Sequence, residues 1–118
     1  MLQENQPKVA ANLFKKALKS DPKNTTALYN HGLALNQMRK YQDAITSFDK
    51  VIEINPKDAP SYNNRAIAMA ELGDTDEALE WYDKAINVDK KYAAAHYNKG
   101  VLLAVSYTHL TLPTKRIV

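Results

Sequence analysis

Three asparagines, Asn30, Asn64 and Asn98, stand thirty-four residues apart in a chain of 118. An asparagine amide carries both a donor and an acceptor, so one side chain can pair with the N–H and C=O of a single peptide unit. A row of such amides can grip an extended backbone without reading its sequence. The competing reading is local. Side-chain hydrogen bonds in proteins go mostly to backbone or water, and a repeated asparagine can serve to bond an adjoining helix. Both readings stay open, with the local role weighing somewhat more. Tyr29, Asn63 and Tyr97 sit one position earlier, and Leu33, Ile67 and Val101 three positions later. Tyr29 and Tyr97 can stack on a partner, aromatic residues being enriched at binding hot spots. The three aliphatic residues can add an apolar strip beside the amides or pack between successive helices, and these readings stand level.

His31, Arg65 and Lys99 form a second series at the same spacing. Their stems can cover apolar surface while the polar ends reach water, so a solvated edge outweighs a contact with an acidic partner. Catalysis has little support. His31 and His96 occupy different positions in their segments, and neither has a sequence-local partner that would form a nucleophile–base pair. The three glycines form no phosphate-cradling loop, and with no cysteine there is neither a disulfide framework nor a thiolate metal site. The acids of Gly73-Asp74-Thr75-Asp76-Glu77 fit a helix start better than a metal loop. Gly73 can close one helix in the left-handed conformation, Asp74 can cap the next, and Glu77 can complete a capping box. Arg39 and Asn5 stand where Gly73 does, which makes those turns less ideal. The expectation is a non-enzyme with no metal and no cofactor.

Charge excludes a further class. Lys and Arg number 16 against 13 acids, and without Lys115 and Arg116 the balance is 14 against 13. The basic residues are scattered among acids, so the electrostatic footprint of a nucleic-acid binder is missing. The start lacks the basic and apolar segments of a signal peptide, and no apolar run is long enough to cross a bilayer. No membrane partner is expected, and the expected location is cytoplasmic.

The elements that must position these residues follow from the period. A block of thirty-four residues runs in full over 25–58 and again over 59–92, with partial copies at 5–24 and 93–104. Each full copy divides into two amphipathic segments. Leu28, Gly32 and Leu35 mark the first, echoed by Tyr62, Ala66 and Met69 and then by His96, Gly100 and Leu103. Ala44, Phe48 and Val51 mark the second, echoed by Ala78, Tyr82 and Ala85. The small residue at Gly32 lets a neighbouring helix approach closely, and Asn55-Pro56 stops the second segment because proline cannot continue it. Such a unit cannot bury its apolar side alone and must stack on its neighbours, which predicts an all-α array over residues 1–104. Residues 5–24 match a second helix only, and residues 93–104 a first helix only.

This pattern resembles the tetratricopeptide repeat family. The first helix carries Leu28, Gly32 and Leu35, the second Ala44, Phe48, Val51 and Pro56, with Lys90 replacing the proline one copy later. Tyr29 to Leu35, echoed by Tyr97 to Leu103, is similar to many bacterial and archaeal members. The resemblance covers about residues 5–104 and implies a right-handed solenoid of antiparallel helix pairs, an α-α superhelix of which this chain holds about three repeats. It implies a scaffold that takes an extended peptide or helix of a protein partner in a concave groove lined by the first helices. Asn30, Asn64, Asn98, Tyr29, Asn63, Tyr97, Leu33, Ile67 and Val101 would line that groove. The asparagines resemble the ladder of the superhelical domains in O-linked N-acetylglucosamine transferases. Members that hold acidic chaperone C-termini use lysine, asparagine and arginine on successive first helices. Here the cationic places hold Pro60 and Asn64 in one register, or Ala94 and Asn98 in the other, which disfavours that clamp. The alternatives are a substrate-recruiting arm of a larger enzyme, such as a glycosyltransferase, and a structural spacer.

The periodicity stops after Ala104. Val105 to Thr114 resembles one reading frame of the transposase adapter used to prepare short-read DNA libraries, so residues 105–118 are set aside as a non-native tail. Alternating Thr and Leu would otherwise read as a native strand or tail. The expectation is a fragment of a longer array, able to self-associate through uncapped ends.

Overall fold

A computed structural model describes the backbone of residues 2–117 and the side chains of residues 6–106. The order is α1 (Leu2–Ser20), α2 (Thr25–Gln37), α3 (Tyr41–Ile54), α4 (Ala59–Glu71), α5 (Thr75–Val88) and α6 (Ala93–Ile117), with no strand among the described residues. α2 packs against α3 and α4 against α5 as two antiparallel pairs; α1 lies against α2, and α6 against α5 and α4. The fold is all-α, as the period requires. α6 does not stop at Ala104: the backbone stays helical through Val105 and on to Ile117, which excludes a strand there. No glycine or proline lies between Ala104 and Leu112 to break it. His109 and the other side chains from residue 107 onward lie outside the described residues.

Two kinds of turn alternate. Between repeats, a side chain caps the incoming helix: Asn24 accepts from the Ala27 N–H at 3.1 Å, and Asp58 accepts from the Ser61 N–H at 3.2 Å and from the Ser61 hydroxyl. Within a repeat, backbone does the work. The Asp74 N–H donates to the Met69 carbonyl and the Gly73 N–H to the Ala70 carbonyl, both at 3.0 Å, with Gly73 at φ 92°. Asp74 does stand at the N-cap of α5, but its carboxylate makes no cap hydrogen bond, so the expected capping box is not formed. Asp74 is exposed, and water competes for its carboxylate.

Arg39 repeats the backbone of Gly73, with φ 61°, and the Lys40 N–H reaches the Leu35 carbonyl at 2.8 Å. A residue with a Cβ pays for this left-handed conformation, by roughly 1–2 kcal/mol. The extra freedom of glycine in the unfolded chain offsets part of that gain. Arg39→Gly is therefore expected to stabilise the chain by about 0.5–1 kcal/mol, read as a higher urea midpoint with an unchanged slope.

The core forms where the small residues of one helix meet the rings of the next. Phe48 is fully buried with Leu35 and Ala44, and a Cβ placed on Gly32 would come within 2.7 Å of its ring. One copy later Ala66 and Tyr82 occupy the equivalent places, both buried, together with Ile45, Ala68, Met69 and Ala78.

The stack curves. The backbones of α2 and α4, and of α4 and α6, approach closely, whereas α3 meets α5 through side chains such as Ile45 against Ala78 and Tyr82, with the backbones farther apart. First helices therefore form the inner, concave row. Second helices splay apart on the outside and leave wedge-shaped clefts floored by a first helix.

Candidate binding face

On the inner row the asparagines form rungs between successive first helices. Asn64 donates through Nδ2 to the Tyr29 hydroxyl at 2.9 Å and to the Pro60 carbonyl at 2.9 Å. One repeat on, Asn98 donates through Nδ2 to Oδ1 of Asn63 at 3.1 Å. The position of Asn30 thus bonds back to the position of Tyr29 in the preceding repeat. Asn36 adds a weaker link, donating to the Asn64 carbonyl at 3.4 Å, while its own Oδ1 is buried without a partner.

These bonds change what the amides can offer. Both hydrogens of the Asn64 amide are engaged, so Oδ1 is the group left for a ligand. Asn98 keeps one hydrogen, and Asn30 makes no side-chain bond among the described residues. The reading in which each asparagine pairs with a whole peptide unit is physically open to Asn30 and Asn98, not to Asn64. Asn63 is only 3% exposed and acts as an acceptor between helices, which removes it from a ligand's reach. That corrects its place among the groove-lining residues.

Tyr29 meets Phe48 edge-on, with ring centroids 5.8 Å apart. Burial pushes its phenol pKa up, Tyr92 adds to the rise, and the Asn64 hydrogen bond acts the other way. Tyr97, by contrast, is 72% exposed. Leu33 and Ile67 are half-buried and pack partly onto the core clusters, whereas Val101 is 44% exposed. Ile67, Asn98 and Val101 come together around a hollow of about 380 Å³ between α4 and α6, whose wall also includes Ala70, Glu71, Tyr82, Leu102 and, from the segment set aside above, Val105.

In the basic series Arg65 departs from the expected solvated edge, while the Lys99 pair stays partly exposed, at 34% and 51%. Arg65 bonds Asp49 at 2.7 Å and Lys99 bonds Asp83 at 2.6 Å, each joining a first helix to the second helix of the preceding repeat. The signal was present: Asp49 and Asp83 recur at the same period, sixteen residues before their partners. The Arg65 guanidinium also lies over the Trp81 ring, 3.7 Å from its centroid, with Lys84 at 4.0 Å. Trp81 stacks on Tyr62 with centroids 5.7 Å apart. The sequence pattern marked Tyr62 as a stripe position of its helix and gave Trp81 no role.

His96 has a structural task. Its Nε2 donates to the Lys90 carbonyl at 2.8 Å, as the Tyr62 hydroxyl does to the Pro56 carbonyl at 2.8 Å one repeat earlier. Both lock the turn between repeats. Among the described residues no group of three His, Cys, Asp or Glu side chains is placed to hold a metal ion. No helix among them is long and apolar enough to cross a membrane.

The tetratricopeptide repeat profile matches residues 24–91, more than half of the chain. The chain belongs to the tetratricopeptide repeat family, whose helical repeats typically serve protein interaction rather than catalysis. No curated protein matches it by sequence. Its backbone superposes on YrrB, a tetratricopeptide protein with an unusual peptide-binding site, at a TM-score of 0.79 and 26% identity over 84% of this chain. The chain spans about half of that protein, 51%. The first such domain of human RPAP3 gives a TM-score of 0.82 at 16% identity, covering 94% of this chain and 87% of that one. The first such domain of Spaghetti, solved with the HSP90 peptide SRMEEVD, gives 0.80 at 17% identity, covering 90% and 84%. At these last two identities the likeness shows the fold.

Proposed function

We propose that the chain is a protein–protein interaction scaffold whose concave row, α2, α4 and α6, accepts an extended peptide or a helix of a partner. The observation that carries this reading is the hollow between α4 and α6, where Ile67 and Val101 present apolar surface beside Asn98. The solved peptide complexes of similar folds support it. An apolar side chain of the ligand enters the hollow, and the free oxygens of Asn64 and Asn98 accept from its backbone N–H groups. Asn30, which retains its whole amide, Tyr29, Tyr97 and Leu33 extend the same face toward the N-terminal end. Exposed Val9 and Leu13 on α1, with Leu103 on α6, supply the apolar ends through which copies would self-associate.

A spacer role is the second reading, favoured by the Asn64 and Asn98 rungs, which join helices whether or not a ligand is present. One substitution separates the two. Val101→Glu places a charge at the mouth of the hollow, on a residue exposed enough to leave stability within about 0.5 kcal/mol. For peptides selected on the chain from an unbiased display library, the proposal expects affinity to fall about tenfold or more in fluorescence anisotropy. Unchanged affinity for every selected peptide, with an unchanged melt, would leave the spacer reading standing.

A further inference from the structure

The two outer clefts can be compared position by position, because each residue of the first has a counterpart thirty-four residues on. In the second cleft, between α3 and α5 over α4, Trp81 occupies the wedge. Tyr62 stacks on it, Arg65 and Lys84 lie over its ring, and Asp49 neutralises Arg65 at 2.7 Å. The first cleft, between α1 and α3 over α2, has lost both parts. Ser47 stands where Trp81 would, and Lys15 stands where Asp49 would. It is open, with a volume of about 440 Å³, and Leu28 and Leu35 lie on its floor. Lys15, Lys40, Lys50 and His31 line it, and Asp43 is the one acid among its lining residues. Burial, then Lys15, then Lys50 hold the His31 imidazole below its ordinary pKa, with Asp43 acting the other way.

We infer that this outer cleft is a docking site for an acidic peptide segment that inserts an aromatic side chain. The ring takes the place that Trp81 takes one repeat later, against the half-buried His31 and Leu18. The flanking carboxylates take the place of Asp49 and meet Lys15 and Lys50. Charge complementarity selects the flanks, and the cleft of about 440 Å³, which no tryptophan fills in this repeat, selects the ring. The site lies on the opposite surface from the concave row and does not depend on the reading proposed for that row.

The probe is a blocked peptide with one tryptophan between paired glutamates. Its controls carry alanine in place of the tryptophan, or lysines in place of the glutamates. With the full chain, the tryptophan peptide is expected to bind saturably with a Kd below about 1 mM, and each control at least about tenfold more weakly. Lys15→Asp rebuilds the ion-pair geometry of the second cleft. It should cut binding at least about tenfold and move the His31 imidazole titration, followed by NMR, to higher pH. Ser47→Trp fills the wedge from within and should abolish binding; should it fail to fold, Lys15→Asp carries the test alone. Val101→Glu should leave this binding unchanged, which separates it from the concave face. Equal binding by the Lys15→Asp chain, equal binding of either control peptide, or no saturation by about 1 mM would each overturn the inference.

Discussion

Gly32→Ala is expected to destabilise the chain by about 1–3 kcal/mol, and Gly100→Ala to stabilise it by about 0.5–1 kcal/mol. The two glycines hold equivalent places in the repeat and differ in what stands opposite. A Cβ on Gly32 would lie 2.7 Å from two atoms of the Phe48 ring, well inside contact distance. Phe48 is fully buried, so its ring cannot swing aside without opening space elsewhere. A Cβ on Gly100 meets nothing within 4 Å, and that residue is exposed in the interior of α6. There alanine simply lowers the entropy cost of a glycine in a helix. Urea unfolding of both variants reads the pair, and opposite signs are the expected result. A double variant, Gly32→Ala with Phe48→Leu, should recover part of the loss, because the residues touch and their effects do not add. If both single variants shift the midpoint in the same direction, the close approach of α2 to α3 is not what selects glycine.

The second large effect is alkaline. Tyr82 is 3% exposed, and burial, then Glu71, push its phenol up from 10.0 to about 12. Because the folded-state pKa is raised, the stabilisation is fully present below pH 10, the unfolded value, and is lost as pH rises toward 12. The loss attributable to this residue is about 2–3 kcal/mol across that window. Tyr82→Phe keeps the ring and removes the titrating group, so it should flatten the fall in stability between those pH values. Tyr29 and Tyr92, whose phenols burial also raises, leave a smaller residual slope. Urea midpoints from pH 9 to 12, wild type against Tyr82→Phe, check this. Parallel curves would mean that Tyr82 does not titrate late.

What could be read in the sequence was whatever the period carries locally. Gly32 against Phe48 follows from a small residue and a large one at fixed places in each copy. Gly73 follows from its turn, and its counterpart Arg39 keeps the left-handed backbone even though it carries a Cβ. Cross-repeat contacts were less legible. The asparagine spacing was plain, yet the direction of each amide depends on how closely α2, α4 and α6 approach, which the curvature of the whole stack decides. Asn63 was placed in the groove by its helical angle, but a neighbouring first helix covers it. Arg65 looked solvated because its acid lies on a different helix, sixteen residues back. Asp74 has the residue type and spacing of a capping box, but the backbone closes that turn without it.

The concave row is the centre of the functional account, and one measurement addresses it directly. Amide and methyl NMR shifts would be recorded on the full chain as a display-selected peptide is added. The account predicts that the largest shifts fall on Asn30, Leu33, Ile67, Asn98 and Val101, along α2, α4 and α6. Shifts centred on Ser47, Lys50 and Lys15 would instead mark the outer cleft as the principal site. That result, or a footprint confined to the outer faces of α3 and α5, would contradict a concave binding row.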